Sequence, residues 1–163
     1  MNMKYALRSE DTEQINVIQW AQWNVNSYPE LKWLHHCPNG GSRNRAEAVK
    51  LKQMGVKAGV SDLHLPYPKG IYCGLYIEMK FGEGRQQPSQ KEFLKDMAAA
   101  GHFVVTCYSS EEAIRVITNY LSLEDWFWSA YEALEEHPED LEKPDKMVMQ
   151  IPNNSILKGG EIR

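Results

Sequence analysis

Cysteine is scarce in this chain, with three in 163 residues (Cys37, Cys73 and Cys107). So sparse and odd a set argues against a disulfide framework. No apolar run approaches the roughly 20 residues that a bilayer span requires. The opening stretch, Met1 to Asp11, holds no apolar core of signal-peptide length, so a cytoplasmic location is expected. An excess of positive charge is missing too. Lys and Arg total 18 against 22 Asp and Glu, for a formal net charge of −4. Taken alone, that sign argues against a polyanionic partner. Neither the apolar fraction of 42% nor the charged fraction of 25% points to a disordered or fibrous chain. The length suits one domain with a single core.

The charge is unevenly spread. Residues 32–95 carry eleven Lys and Arg against five Asp and Glu, whereas 96–163 carry five against thirteen. The basic segment also holds the stretch around which the chain is organised. Gly59-Val60-Ser61-Asp62-Leu63-His64-Leu65 and Gly74-Leu75-Tyr76-Ile77-Glu78-Met79-Lys80 each read as a short strand. Between them, Pro66-Tyr67-Pro68-Lys69-Gly70 is confined by its prolines to turn structure. Side chains two apart in a strand share a face, so Glu78 and Lys80 point one way and Met79 the other. If the strands pair as a hairpin, Asp62 joins them.

Two carboxylates held close repel unless a cation lies between them. Mg²⁺ suits such a pair, because it prefers hard oxygen ligands and needs only one or two carboxylates. A neighbouring lysine can hold or deprotonate the attacking water and offset charge developing on phosphorus. The chemistry suggested is metal-assisted hydrolysis of a phosphodiester. The plain alternative is a hairpin with ordinary surface charges, since short acid patterns recur by accident.

The remaining elements follow from local signals. Residues 9–26 read as a helix capped by Ser9, with Glu10, Asp11 and Glu13 in its first turn and with Ile15, Ile18, Ala21 and Val25 toward the core. Glu13 falls on the flank of that face. Leu31 to Cys37 reads as a strand, and Pro38-Asn39-Gly40-Gly41 as a loop. A helix from Ser42 to about Met54 bears Arg43, Arg45, Lys50 and Lys52 opposite a thin stripe of Ala46, Val49 and Met54. With Lys57, this basic face is suited to phosphates. Gly82-Glu83-Gly84-Arg85 is a flexible loop at the mouth of the site, though its spacing is not that of a P-loop. Pro88-Ser89 opens a helix that ends before Gly101, with Gln90, Leu94 and Met97 on one side. Gln90 there either reaches the site or caps its own helix. Phe103 to Cys107 is a continuous apolar run and reads as a buried strand. Ser109 and Glu112 suggest a capping box for a helix lined by Ala113, Ile114, Ile117 and Leu121. The order predicts an α/β fold, a mixed central sheet flanked by helices. Residues 122–135, with Trp126, Phe127, Trp128, Tyr131 and Leu134, suggest an aromatic helix packed on the domain or at a dimer contact. Residues 136–163 read as an acidic, extended tail.

With these residues placed, the chain resembles the PD-(D/E)xK nuclease superfamily. Within it, the chain is similar to the VRR-NUC family, in its small stand-alone form from phages and bacteria. The likeness spans about residues 10–121. It rests on Pro38-Asn39-Gly40-Gly41 with Arg43, on Lys52 through Gly55-Val56-Lys57-Ala58-Gly59-Val60-Ser61-Asp62-Leu63, on Gly74 to Lys80, and on Ser89-Gln90 with Gly101. The resemblance implies a restriction-endonuclease-like core in residues 1–121. It also implies that Asp62, Glu78 and the Met79 backbone carbonyl bind Mg²⁺ or Mn²⁺, with Glu13 helping through a water. Lys80 would position or activate the attacking water, and Gln90 would orient Lys80 or the phosphate. Asn39, Arg43, Arg45, Lys52, Lys57 and Arg85 are the residues expected to meet DNA. Stand-alone members resemble Holliday-junction resolvases that work as homodimers, so branched DNA and a second copy are the expected partners. Ser61 departs from the pattern, standing where the motif usually has proline.

Other readings remain open at this point. A restriction-type, sequence-specific nuclease is disfavoured by the lack of a separate recognition domain. A DNA-binding module with a decayed site is opposed by the intact Asp62, Glu78 and Lys80. A zinc site built on His35, His36 and Cys37 with Cys73 or Cys107 has poor ligand spacing, because neighbours in a strand point apart.

Overall fold

In a computed structural model, the structure describes residues 8–38 and 45–124. The aromatic helix and acidic tail expected from residue 125 onward lie outside these residues, as do Asn39 and Arg43.

The first helix, α1, spans Glu10–Asn24. Ser9 caps it: the Ser9 hydroxyl accepts from Thr12 N at 3.2 Å, and Thr12 Oγ1 accepts from Ser9 N at 2.7 Å. Its buried stripe is Glu13, Val17 and Ala21, so of the residues expected to face the core only Ala21 is fully buried. Ile18 and Val25 pack against the core only partly, and Ile15 is 52% exposed. Apolar residues lie on several sides of this helix, and its inward face begins with an acid. Hydrophobicity alone therefore misplaces the face.

A second correction concerns Leu31 to Cys37. Pro29–Trp33 winds into a 3₁₀ helix, with Leu31 N donating to Tyr28 O at 3.0 Å and Leu34 N to Leu31 O at 3.1 Å. Proline sits comfortably in a first helical turn. Only His35–His36 remains as strand β1.

The helix α2 covers Arg45–Gln53. None of its described side chains is buried, so the expected apolar stripe faces solvent, with Val49 52% and Met54 70% exposed. Strands β2 (Leu63–Leu65) and β3 (Leu75–Met79) form the expected hairpin. The helix α3 covers Pro88–Ala99, strand β4 Phe103–Cys107 and helix α4 Ser110–Leu121. Ser109 caps α4 by accepting from Glu112 N at 3.1 Å. The capping box is only half formed, because Glu112 Oε2 accepts from Tyr108 N at 2.8 Å, not from Ser109.

The sheet runs β1-β2-β3-β4, antiparallel across the first two junctions and parallel across the third. A parallel pair needs a crossover, and α3 supplies it. Leu63, Leu65, Leu75, Ile77 and Met79 point to one face and are wholly buried with Val17, Ala21, Ala113 and Ile117 of α1 and α4. Strand β4 was expected to be fully buried. It is an edge strand, and only Cys107 is buried while Phe103 to Thr106 are half-buried.

Candidate active site

The opposite face of the hairpin carries the polar side chains. Leu63 pairs with Ile77, and one further step of that register sets Asp62 opposite Glu78. Asp62 Oδ2 accepts from the Met79 amide at 2.8 Å. This bond fixes the acid at the entrance of β2 against the end of its partner strand. Lys80 continues β3 by a bond from its amide to Cys107 O at 2.8 Å. Its ammonium folds back to donate to Glu78 Oε1 at 2.7 Å and to Met79 O at 3.0 Å. Gln90, in the first turn of α3, donates from Nε2 to the same Glu78 oxygen. Its own carbonyl accepts from Gln87 N at 2.7 Å. Gln90 thus both caps its own helix and contacts Glu78.

Glu78 and Lys80 are 0% and 5% exposed, and Asp62 is 8% exposed. Burial pushes the Glu78 carboxyl up to about 7, with the Asp62 charge adding to it, although the Lys80 hydrogen bond works the other way. Burial would by itself lower the Lys80 pKa, but the Glu78 hydrogen bond and the charges of Glu78, Glu10 and Asp62 outweigh it and raise the value. Lys80 is therefore held as an ammonium at neutral pH, able to donate hydrogen bonds.

Among the described residues, Glu78 Oε2 is buried with no hydrogen-bond partner. An uncompensated carboxylate oxygen in a dry site is costly. The remedy that the neighbouring donors offer is a hard cation: a second carboxylate and a backbone carbonyl adjoin it, all oxygen. Ser61, just before Asp62, is wholly buried, and its hydroxyl likewise has no partner among the described residues.

Glu13 does not join this group through a hydrogen bond. Its carboxylate ties α1 to α4. Oε1 accepts from Arg8 Nε at 2.6 Å, and Oε2 accepts from the amide and hydroxyl of Ser110 at 2.7 and 2.9 Å. The Arg8 hydrogen bond, helped by Ser110, holds its pKa down at about 2 despite burial. The acid of α1 that does reach the cluster is Glu10, whose Oε1 is 3.6 Å from Lys80 Nζ. Sequence reasoning passed over Glu10 because both acids sit in one first turn, and only the packing of α1 distinguishes them.

This contrast gives a testable split. Glu13 has a folded-state pKa below its ordinary 4.5, so its contribution is complete above about pH 4.5 and is lost as pH falls toward about 2. Glu13→Gln should cost about 1–2 kcal/mol at pH 7, allowing for an exposed Arg8 partner, and should flatten the acid limb of stability. Thermal unfolding against pH checks this. Glu10→Gln should leave the unfolding midpoint nearly unchanged but slow catalysis. Equal loss of activity in both variants with stability unchanged would place Glu13 at the reacting group instead.

Of the basic residues expected to meet DNA, Lys52, Lys57 and Arg85 are exposed. Arg45 opens α2. The approach to the site also depends on Gly59, with φ of +88°. A Cβ there would lie 2.6 Å from the carbonyl carbon and oxygen of Ser89, the residue before Gln90. Gly59→Ala should destabilise the fold by about 2 kcal/mol or more and shift the start of α3. Thermal unfolding and a cleavage assay would both register it; a variant matching wild type in both would refute the contact.

An acid leading into one strand, an acid and a lysine two apart on the next, and a crossover helix reaching back to them define a nuclease core of the restriction-endonuclease-like, PD-(D/E)xK type. Within that class the chain belongs to the VRR-NUC family, since residues 8–111 match the profile of the VRR-NUC domain. A solved structure described as a VRR_NUC domain protein is 34% identical, covering 74% of this chain and 94% of its own, with a TM-score of 0.62. No curated protein matches the chain. The family makes this a nuclease domain, a phosphodiester hydrolase whose substrate is DNA. No helix among the described residues is long and apolar enough to cross a membrane.

Proposed function

We propose that the protein is a divalent-metal-dependent DNA endonuclease, selective for branched DNA in the manner of Holliday-junction resolvases, and active as a homodimer. The observation that carries the metal dependence is the buried Glu78 Oε2 without a partner among the described residues, beside Asp62. Mg²⁺, or Mn²⁺ in its place, fits this all-oxygen donor set. Asp62, Glu78 and the Met79 carbonyl would hold it, whereas Glu13, with both carboxylate oxygens taken by Arg8 and Ser110, would serve to hold α1 against α4. A bound ion would supply Lewis-acid polarisation of the scissile phosphate and lower the pKa of water.

The chain's own groups do the rest. Lys80, charged and aimed along the Glu78 side, donates to the attacking water and balances negative charge gathering on the phosphate oxygens. Gln90 and Glu10 keep that ammonium and its carboxylate in place from two helices. The basic α2 packs none of its described side chains into the core and is suited to a phosphate backbone, together with Lys57 and Arg85. Symmetric cutting of a junction calls for two sites on a two-fold axis. Exposed Trp23 and Trp33, at 78% and 57%, offer apolar surface for a second copy.

The test is cleavage of end-labelled linear duplex, flap, fork and four-way junction with Mg²⁺, Mn²⁺ or EDTA. Paired symmetric nicks in the junction, lost in EDTA, are expected. Cutting that ignores branching overturns the selectivity. Binding without any cutting turns the reading to a DNA-binding module. Light scattering that finds only an 18.8 kDa species at working concentration overturns the dimer.

A further inference from the structure

A second constellation lies on the same sheet face, one step from Asp62. His35 pairs with His64 across β1 and β2. The register carried one residue on sets Cys37 against Asp62, and Cys37 N donates to Asp62 O at 2.8 Å. Residues opposite or two apart share a face. His35, Cys37 and His64 therefore converge, while His36 lies on the other face, its Nδ1 2.9 Å from both Gln14 Nε2 and the Asp62 carbonyl oxygen. One donor atom from each of His35, Cys37 and His64 lies within 4.8 Å of the other two. The alternation that rules out a contiguous His-His-Cys ligand set is what brings the first and third of those residues together. The partner from β2 could be named only once the register was known. Cys73 and Cys107 take no part.

Two details give this cluster the order of a built site. His35 Nδ1 lies 2.8 Å from Trp33 O. A carbonyl only accepts, so Nδ1 carries the proton and Nε2 keeps its lone pair. Metal-bound histidines are commonly fixed through such a bond to a backbone oxygen. The His64 ring is held flat on Tyr76, with centroids 4.1 Å apart and planes 7° from parallel. The donors are two imidazoles and a thiol, and such a set selects borderline or soft ions over Mg²⁺.

We propose that His35, Cys37 and His64 form a second metal site, which takes a thiophilic divalent cation of the Zn²⁺ class and is separate in position and donor type from the oxygen site at Asp62 and Glu78. Three protein donors leave a tetrahedral ion one position for water. The Cys37 thiol gives up its proton to solvent on coordination. A bound ion pins the short β1 to β2, next to the peptide that presents Asp62.

The test uses the full chain, stripped with chelator and then given one equivalent of Zn²⁺ or Co²⁺ in excess Mg²⁺, which occupies the oxygen site. Expected are one retained Zn²⁺ by metal analysis and, with Co²⁺, a thiolate-to-metal charge-transfer band. The band disappears in Cys37→Ser. Affinity falls in His35→Ala by more than the ~10–100-fold that loss of an outer partner costs. His35 is exposed, so this variant keeps its fold and decides the matter if Cys37→Ser does not. Zn²⁺ at a hundredfold excess over Kd raises the unfolding midpoint by about 5–10 °C in wild type and in Asp62→Asn, but not in His35→Ala. No retained Zn²⁺, binding unchanged in Cys37→Ser and His35→Ala, or binding lost in Asp62→Asn would each overturn the proposal. None of these outcomes depends on cleavage.

Discussion

Lys80→Met is expected to lower the rate of DNA cleavage by about 10²–10³-fold or more while leaving DNA affinity close to wild type. Methionine keeps the length and apolar stem of a side chain that is 5% exposed; what goes is the charge. In the wild type that charge is fixed by Glu78 Oε1 at 2.7 Å, Met79 O at 3.0 Å and Glu10 at 3.6 Å. A donor preorganised to this degree in a buried site is worth far more than a mobile surface lysine. The variant also leaves Glu78 without its cation, so the Glu78 carboxyl moves further above its present value of about 7. Cleavage under single-turnover conditions, with gel-shift affinity measured in parallel, checks both halves. Retention of most of the wild-type rate would remove Lys80 from the chemistry. Weakened binding with an unchanged rate would make it a DNA contact.

The second large effect concerns Asp62. Asp62→Asn preserves an acceptor for the Met79 amide, a bond of 2.8 Å in the wild type, so the hairpin should stay intact. It removes one of the two acids proposed to hold the cation. Cleavage should fall by about 10³-fold, in line with the loss of several kcal/mol of charge stabilisation. The stabilisation that Mg²⁺ gives the wild type by binding only the folded state should vanish with it. DNA binding should persist or strengthen, since one negative charge leaves a surface that meets phosphates. The Glu78 carboxyl should titrate lower, because the Asp62 charge is one of the causes of its raised value. Thermal unfolding with and without Mg²⁺, beside a cleavage time course, separates these outcomes. Full activity in Asp62→Asn would mean that the cleavage centre lies elsewhere.

The two predictions act through different causes, and their combination is informative. Asp62 and Lys80 share Glu78 as a neighbour, so their effects should not add. A double variant no slower than Asp62→Asn alone would mean that the ammonium works only when the two-acid site is complete.

The sequence by itself determined the hairpin and the face proposed to react. Asp62, Glu78 and Lys80 are brought together by a side-chain period of two and by pairing across a short proline-bounded turn, both local properties. The order of elements and the mixed sheet were legible for the same reason. Capping, glycine and proline signals act within a few residues. Gln90 could be placed on the inward side of its helix, but its contact with Glu78 depends on how α3 lies on the sheet.

Tertiary structure alone decided the rest. Glu13 is buried because Ser110, 97 residues away, donates to it from the start of α4, and no pattern within α1 reports such a partner. That packing also turns Glu10, not Glu13, toward Lys80. Strand β4 is half-exposed because it ends the sheet, a matter of strand order and not of its own apolar run. His35, Cys37 and His64 meet because β1 is two residues long and pairs with β2 in one register. A shift of one residue would send His64 to the other face and leave three unrelated side chains.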